Sequence, residues 1–458
     1  MEYEAFLASK VARAVRRGMT NIPPLSSHLF PFQKHCVEFA LTLGSAGIFL
    51  DTGLGKTVIE LEYAEHARQA ANGWALILAP LAVAKQIERE AKRFGYDARV
   101  IRDQSEAREG INICNYDRLH LLDPNSFGVV VLDEASILKS FTGATSRKLI
   151  ELFSRHVWRL PATATPAPND HMEMGQYADF CGIMASNEML SRFFINDTSQ
   201  ASQKWRLKKY GVEEFWDWVA SWCRLAQLPS DLGGDDTGFI LPPIDIVRHR
   251  AADSAPSISG GLFGDDVVSA TNMHTIKRGT ANKRAGIAAA LANSNSAPWV
   301  IWVDTDYEAD AVMELFGKSP EVVEVRGSMD ADKKERNIEQ FIDGSARILL
   351  TKPSMCGQGL NLQHCAHTAY VGRSFSYEDW YQSVRRFWRY GQSKQVQVHL
   401  IVAAGEESIG RVIDRKADDH DDMRAAMRAA MKRNNGIASA VRIAYEAKQQ
   451  ARLPSWIA

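Results

Sequence analysis

The sequence predicts an α/β protein with two parallel-sheet lobes, a helical insertion between them and a helical C-terminal tail. Short apolar runs alternate with segments of helical period in both halves of the chain, which is the pattern of parallel strands joined by helical crossovers. Between the two halves, the amino-acid composition changes in the segments LPSDLGGDDTG and SAPSISGGLFGDD, which are rich in Gly, Ser, Pro and Asp. Such stretches are typical of connections rather than of packed sheets.

Composition agrees with a globular protein of more than one domain. The chain has 458 residues, 45% of them hydrophobic and 24% charged, which excludes collagen-like and disordered classes. Its 54 basic and 55 acidic residues nearly balance, so a polyanionic partner must be held by local basic patches. No apolar run reaches the about 20 residues of a spanning helix. The six cysteines lack metal-type spacing, and we expect free thiols and a cytoplasmic location.

The elements follow in chain order. In the first half, strands are predicted at 47–50, 74–79, 111–114, 129–132 and 157–160, and helices at 56–70, 83–94 and 143–152. In the second half, strands are predicted at 299–303, 322–325, 348–350, 368–371 and 396–402, and helices at 306–316, 330–341 and 377–389. The predicted divisions are an N-terminal helical extension (1–24), a first lobe (25–195), a helical insertion (196–250), a linker (251–280), a second lobe (281–410) and a helical tail (411–458).

A glycine-rich loop connects the first predicted strand to the first helix of its lobe. Gly53 and Gly55 allow turns in which successive N–H groups converge on phosphate oxygens. Lys56 would neutralise the β- and γ-phosphates, and Thr57 would ligate Mg²⁺. The strict phosphate-loop pattern has Gly where this chain has Leu50, and a simple glycine turn is the alternative. The residues predicted to bind the phosphates are Thr52, Gly53, Leu54, Gly55, Lys56 and Thr57.

Two carboxylates end the buried run VVVLDE. The carboxyl end of a parallel strand is where ligands bind in such sheets, and Asp133 could hold Mg²⁺ with Thr57. Glu134 could orient and deprotonate an attacking water. Acidic pairs at strand ends are also common on surfaces, so this prediction depends on the phosphate loop upstream.

The segment QSVRRFWRYGQ in the second lobe carries closely spaced arginines. Arg386 and Arg389 are three positions apart, so a helix would project both from one face, with Gln382 one turn earlier. A guanidinium brought to a γ-phosphate from another lobe stabilises the charge of the transition state. A solvated basic helix is the alternative.

These segments, in this order, resemble superfamily 2 helicases, and the arginine segment resembles their Swi/Snf-like DNA-translocase branch. LFPFQKHCVEFA is similar to the adenine-reading Q element, with Gln33 as its glutamine, and LPATATP to the motif that couples the ATP site to nucleic acid. CGQGLNLQ resembles a nucleotide-contacting motif that contains Gly359, and Gln382 belongs to the arginine motif. Departures are Ser136, Ala164 and Met355–Cys356, where the family has other residues.

The resemblance implies two RecA-like lobes that close on ATP and Mg²⁺. It implies Lys56, Asp133, Glu134, Arg386 and Arg389 as catalytic residues, and Gln33, Gly359 and Gln382 as further nucleotide contacts. Double-stranded DNA is the implied partner, with replication or recombination proteins as candidate protein partners. Compact members of this DEAD/DEAH-box-like type resemble proteins of bacteriophages and prophages, which act in the host cytoplasm.

Three functions are therefore compared. The first is a DNA-stimulated ATPase that translocates on or remodels duplex DNA. The second is a strand-separating helicase on DNA or RNA. The third is a nucleotide-gated scaffold without turnover, against which the intact Lys56, Glu134 and Arg389 count.

The insertion and the C-terminal tail each allow two interpretations. The tryptophans of the insertion could stack on bases, but packing on the first lobe is favoured; they are Trp216, Trp218 and Trp222. In the tail, a helix is predicted to break at residues 434–436. Its basic stripe (Arg424, Arg428, Lys432) lies beside an apolar stripe (Met423, Met427, Met431). An amphipathic helix with a solvated basic face is favoured over a brace that docks on a lobe and touches DNA.

Overall fold

Two parallel β-sheets organise the molecule, as the sequence predicts. The computed structural model describes residues 13–81, 83–140, 143–167, 170–197, 204–251, 270–356, 360–403 and 407–441. The first sheet has seven strands in the order β3-β4-β2-β5-β6-β1-β9, and the second has six in the order β10-β15-β14-β11-β13-β12. Every strand pairing recorded within these two sheets is parallel.

The strands of the first sheet are β1 (Gly47–Leu50), β2 (Trp74–Ala79), β3 (Ala98–Val100), β4 (Ile111–Asn115), β5 (Phe127–Asp133), β6 (Trp158–Ala162) and β9 (Cys223–Ala226). Those of the second are β10 (Asp245–Arg250), β11 (Trp299–Trp302), β12 (Val322–Val325), β13 (Ile348–Thr351), β14 (His367–Tyr370) and β15 (Gln397–Val402). A separate antiparallel hairpin pairs β7 (Phe194–Asp197) with β8 (Lys204–Leu207).

Helices connect the strands and cover both sheets. Those of the first lobe are α1 (Pro31–Leu43), α2 (Lys56–Ala71), α3 (Ala84–Phe94), α4 (Ala144–Leu152), α5 (Met174–Phe180), α6 (Ser186–Phe193) and α7 (Val212–Trp222). Those that follow are α8 (Ala270–Ala292), α9 (Asp306–Phe316), α10 (Ala331–Ile342), α11 (Pro353–Cys356), α12 (Tyr377–Val384) and α13 (Glu407–Val441).

Alternation of side chains along the strands gives each sheet a core on both faces. Phe49 of β1 joins one cluster of the first lobe, whereas its neighbours Ile48 and Leu50 join the other. In the second lobe, Trp302 and Ile301 divide between the two faces in the same way. Each such side chain contributes about 1.5–3 kcal/mol when it is fully buried. Because β5, β6 and β1 are parallel neighbours in the first sheet, their carboxyl ends lie together at one edge of it.

The expected N-terminal helical extension is wrong for its described part. Residues 13–24 form no helix. Instead, the backbone N–H groups of Arg17, Gly18 and Met19 donate to the last carbonyl groups of α1. Those carbonyls have no partner within their own helix, so an extended segment satisfies them. Residues 1–12 lie outside the described residues.

The expected helical insertion (196–250) is only partly helical. It contains α7 but also gives β9 to the first sheet and β10 to the second. The tryptophans of α7 are 3% exposed or less and lie in the core of the first lobe, which confirms the packing interpretation. The expected linker (251–280) ends in helix, because α8 begins at Ala270; residues 252–269 are not described.

The C-terminal tail docks on the first lobe, contrary to the favoured solvated-face interpretation. Helix α13 continues through residues 434–436 to Val441 without the predicted break. The apolar stripe is buried in the first-lobe core, and Arg424 of the basic stripe is only 4% exposed. Lys432 is exposed, so only part of the basic face is solvated. Across the described ranges, no helix is long and apolar enough to cross a membrane.

Candidate functional site

The glycine loop after β1 has the backbone of a phosphate cradle. Gly53 and Gly55 have φ angles of 91° and 75°, which only glycine adopts at little cost. A Cβ atom at Gly55 would lie 2.4 Å from Gln33 Nε2, so a side chain has no room there. Helix α2 begins at Lys56, whose ammonium donates to the Leu50 carbonyl over 2.9 Å. The loop therefore directs a lysine and a helix N-terminus into one concavity.

The acidic pair lies beside this cradle. Asp133 ends β5, and Glu134 has a φ of 52°, a left-handed conformation that turns the chain sharply at the strand end. Thr163, after β6, donates to Glu134 Oε1 over 2.7 Å and fixes that carboxylate. Burial lowers the pKa of Lys56, and the Glu134, Asp51 and Asp133 carboxylates oppose that change. The cradle and the pair thus form one electrostatic unit.

Burial also changes the acidity of the first carboxylate. The pKa of Asp133 is raised to about 6, first by burial and then by the charge of Glu134, although Lys56 opposes both. A divalent cation would relieve this repulsion, because it neutralises carboxylates that are held close together.

The second lobe reaches the acidic pair through a glutamine. Gln382 Nε2 donates to Glu134 Oε1 over 2.9 Å and to Thr165 Oγ1 over 3.1 Å. Gln382 Oε1 accepts a bond of 2.8 Å from Arg386 Nη2. A continuous chain of hydrogen bonds therefore runs from the first-lobe carboxylate to a second-lobe arginine. The sequence predicted Gln382 as a nucleotide contact, and the structure bonds it to protein groups.

The helix expected over 377–389 is too long. Helix α12 ends at Val384, and the chain continues in turns with Phe387 N bonded to Val384 O over 3.2 Å. Phe387 is fully buried in the second-lobe core, and the Trp388 indole donates to Pro242 O over 2.6 Å. These two anchors draw the chain away from the helical path. The argument that both arginines share one helical face is therefore wrong, although both reach the site.

The backbone of the arginine segment at Arg389 and Tyr390 lies next to the phosphate cradle. A Cβ placed on Gly53 would be 3.4 Å from Arg389 Cβ and 2.6 Å from the Tyr390 nitrogen, so the second lobe touches the loop here. The buried Nε of Arg389 has no hydrogen-bond partner among the residues that the structure describes. An unpaired buried donor is costly, so this guanidinium retains the capacity to bind an anionic group.

Gln33 lies at the other end of the cradle. It is 5% exposed, accepts from the Phe30 backbone over 2.9 Å and donates to the Leu54 carbonyl over 3.0 Å. Phe239 stacks on Tyr390 with ring centroids 4.4 Å apart, close to Phe30. This aromatic group was not found from the sequence, because Phe239 and Tyr390 follow no pattern that pairs them.

The other residues predicted to bind the phosphates are Thr52, Leu54 and Thr57. Thr52 donates its backbone N–H to Asp51 Oδ1 over 2.7 Å, and Leu54 is buried. Thr57 follows Lys56 in the first turn of α2. Gly359 lies outside the described residues.

Two buried acidic residues near the cradle were missed. Asp51, which follows β1, is bonded to groups from the second lobe. Glu60 lies one turn after Lys56 with its carboxyl fully buried, and burial with the neighbouring Asp133 charge raises its pKa well above the usual range. Neither residue is one of the positions that define the phosphate-loop pattern, so only the fold could reveal their contacts.

The residues present fit a magnesium–nucleotide complex. The cradle tolerates no side chain, Lys56 points into the loop carbonyls, and the Arg389 Nε atom is unsatisfied in the described part of the chain. Asp133 and Thr57 offer the hard oxygen ligands that Mg²⁺ prefers.

Comparisons with known proteins agree with this geometry. Residues 282–391 match the family described as helicase conserved C-terminal domain. The chain is similar to "Putative protein p41" of Acyrthosiphon pisum secondary endosymbiont phage 1, with 23% identity over 476 residues, covering 88% of this chain and 98% of that protein. Among solved structures it is similar to S. cerevisiae Dbp5 bound to RNA and ADP BeF3, with a TM-score of 0.56 and 12% identity over 88% of this chain and 93% of that one. The protein therefore has a two-lobe RecA-like helicase fold, and its second lobe is similar to the helicase conserved C-terminal domain.

Proposed function

We propose that the protein is a nucleic-acid-stimulated ATPase of the Swi/Snf-like branch, which couples hydrolysis of Mg-ATP to translocation on or remodelling of duplex DNA. The observation that carries the proposal is the hydrogen-bond chain from Glu134 through Gln382 to Arg386, with the Arg389 backbone segment next to the glycine cradle. Such a chain ties hydrolysis in one lobe to the position of the other, which is what a motor requires. The branch assignment depends on the spacing of Gln382, Arg386 and Arg389 with the glycine and glutamine that follow.

The proposed chemistry assigns one role to each group. Both described bonds to Glu134 reach Oε1, so Oε2 is the oxygen that would orient a water molecule and accept its proton. That water would add to the γ-phosphorus as the bond to the β,γ-bridging oxygen breaks. Lys56 and Arg389 would stabilise the charge on the transferring group. Bound Mg²⁺, held by Thr57 and Asp133, would neutralise phosphate charge.

A strand-separating helicase on RNA or DNA is the second candidate. It is favoured by the similarity to Dbp5, whose solved structure contains RNA. A scaffold without turnover has less support, because Thr163 fixes the Glu134 carboxylate and Gln382 connects it to Arg386 of the second lobe.

The proposed setting is a bacterial cytoplasm. The similarity to a phage protein supports action inside a host cell, and all six cysteines are free and buried, as expected in a reducing compartment. Replication or recombination proteins are the proposed partners.

ATP turnover with three polynucleotides tests the proposal. We expect duplex DNA to raise kcat more than single-stranded DNA or RNA of equal length, with Lys56→Ala as the inactive control. Stimulation by RNA alone would favour the second candidate. Turnover that no polynucleotide raises would contradict both motor functions.

A further inference from the structure

An ionic cluster of residues that were not predicted to be functional joins the two lobes. Asp51, the residue after β1, is 2% exposed and accepts hydrogen bonds at Oδ1 from the Thr52 backbone and the Tyr381 hydroxyl, each over 2.7 Å. Arg385 Nη2 forms an ion pair with Asp51 Oδ2. The first residue of the loop is thus tied to the second lobe.

The C-terminal helix adds a third component to this cluster. Arg424 of α13 lies 3.5 Å from Asp51 Oδ2, and it donates to the Tyr381 hydroxyl over 2.8 Å and to the Ala164 carbonyl over 3.1 Å. The turns of α13 on either side of it are held in the first-lobe core by buried methionines, namely Met423, Met427 and Met431. Arg424 therefore contacts the second lobe from the part of α13 that is fixed on the first, whereas Ile413, earlier in the helix, packs on Tyr377 of the second lobe.

The cluster lies beside the proposed catalytic groups but does not include them. Tyr381 and Arg385 bond to Asp51, whereas the adjacent residues Gln382 and Arg386 take part in the hydrogen-bond chain to the active-site glutamate. Within α12, Tyr381 and Gln382 are adjacent and so point about 100° apart, one towards the anchor and the other towards the acidic pair. A shift of this anchor would move the catalytic groups with it.

The electrostatics of the cluster make its stability sensitive to the loss of any one of its charged members. Burial alone would raise the pKa of Asp51, but Arg385 and Arg424 outweigh it and hold the pKa well below the usual range. One carboxylate therefore stands between two guanidinium groups that would otherwise repel each other at close range. Removing a single partner of such a buried group costs more than the pair contributes.

We propose that Asp51 is a positioning residue that holds residues 381–390 of the second lobe against the phosphate cradle. Asp51, Tyr381, Arg385 and Arg424 together form what we call the interlobe lock, and Arg424 makes α13 a component of it. The inference rests on the proposed ATPase function for its effect on catalysis, but the lock itself is independent of hydrolysis. Catalysis requires the reacting groups to be held within a fraction of an ångström of their working positions. A second lobe that moved during the chemical step could not supply this precision.

Lobe separation can be measured directly by fluorescence energy transfer. The native cysteines are all buried, so dyes can be directed to cysteines introduced at the exposed Ser154 and Lys318, one on each lobe. We expect Asp51→Asn and Arg424→Met to lower the transfer efficiency in buffer, with partial recovery in Mg²⁺ and ADP-beryllium fluoride. Tyr381→Phe, which removes one shared hydroxyl, should give a smaller loss with little risk of misfolding.

A matched control comes from the same helix. Arg433 forms an exposed ion pair of 3.0 Å with Asp217 on the first lobe, away from the lock. Arg433→Met should leave transfer efficiency and turnover unchanged. Arg424→Lys should restore part of the loss seen in Arg424→Met, because a positive charge returns. The double variant Asp51→Asn/Arg424→Met should lose less than the sum of the single variants, since both act through one contact.

Steady-state kinetics separates positioning from folding. In the wild-type background we expect Asp51→Asn to lower kcat by on the order of 10²-fold while thermal unfolding remains cooperative. If the variants lose transfer efficiency and the wild-type protein proves to have no ATPase activity, the lock is supported and the proposed function is refuted. Normal transfer efficiency and normal kcat in Asp51→Asn and Tyr381→Phe would overturn the lock and leave the function standing.

Discussion

At the scale of single residues, the site depends on backbone conformations that few residues adopt. Glu134 accepts a positive φ at the end of β5, and the sharp turn directs its carboxylate towards Thr163 and Gln382 instead of along the strand. Non-glycine residues in this region carry strain of about 1–3 kcal/mol, and such strain clusters at functional sites. The sequence indicated the acidic pair but gave no sign of this turn.

Substituting Glu134 should separate binding from hydrolysis. Glu134→Gln keeps a side-chain oxygen for the Thr163 and Gln382 bonds but cannot accept a proton. We expect kcat to fall by at least about 10²-fold while the affinity for ATP is unchanged. Rapid-quench turnover and titration with a fluorescent ATP analogue measure the two quantities. A variant with wild-type kcat would exclude Glu134 as the base.

A pH effect is predicted at His35, which accepts from Arg224 Nε over 3.1 Å. Burial, helped by the Arg224 charge, lowers the pKa of His35 to about 4. The unfolded chain therefore binds a proton that the folded chain refuses, and stability should fall as pH drops from about 6.5 to 4. The slope is at most about 1.4 kcal/mol per pH unit.

Urea unfolding at several pH values measures this slope. The variant His35→Gln should show a shallower loss of unfolding free energy over the same range, since glutamine does not titrate. Equal slopes in both proteins would show that the pKa of His35 is the same in the folded and the unfolded chain, which would contradict the prediction.

At the scale of elements, strands that are continuous apolar runs could be predicted, whereas three of the four edge strands, namely β3, β9 and β10, could not. The bounds of β1 and β2 agree with the sequence prediction, because each is a continuous apolar run. In contrast, β10 reads DIVRHR and alternates exposed and partly buried positions. It becomes a strand by pairing with β15, about 150 residues away in sequence. Local pattern carries no information about such pairing.

Helix α13 illustrates how packing decides between two interpretations of one pattern. Its methionine stripe predicted an apolar face, and the structure buries that face against the first-lobe core. Met427 is fully buried there, whereas Lys432 is exposed on the same helix. The helix is therefore part of the folded core and more than a surface appendage.

This packing predicts a large loss of stability in one variant and none in its control. Met427→Ala should lower the free energy of unfolding by about 2–5 kcal/mol, because a cavity replaces a buried side chain. Lys432→Ala should change it by less than about 0.5 kcal/mol. Urea denaturation followed by tryptophan fluorescence measures both. Equal stability in the two variants would mean that α13 does not contribute to the core in solution.

At the scale of the whole molecule, the two lobes were predictable and their junction was not. The phosphate loop, the acidic pair and the arginine segment were each found from local sequence. The contacts that join them depend on residues such as Asp51 and Tyr381, which lie far apart in sequence and which no motif pairs with each other. Their meeting follows only from how the sheets, α12 and α13 pack together. The function of the molecule is proposed to depend on that junction.

The most direct test of the central claim is the kcat of Arg389→Ala at saturating ATP and polynucleotide. If the second-lobe guanidinium stabilises the transferring phosphoryl group, kcat should fall by roughly 10³-fold, with Arg433→Ala unchanged as the control. The affinity for ATP should change much less. A wild-type kcat, or a loss confined to KM, would show that Arg389 does not act on the transition state and would contradict the proposed motor.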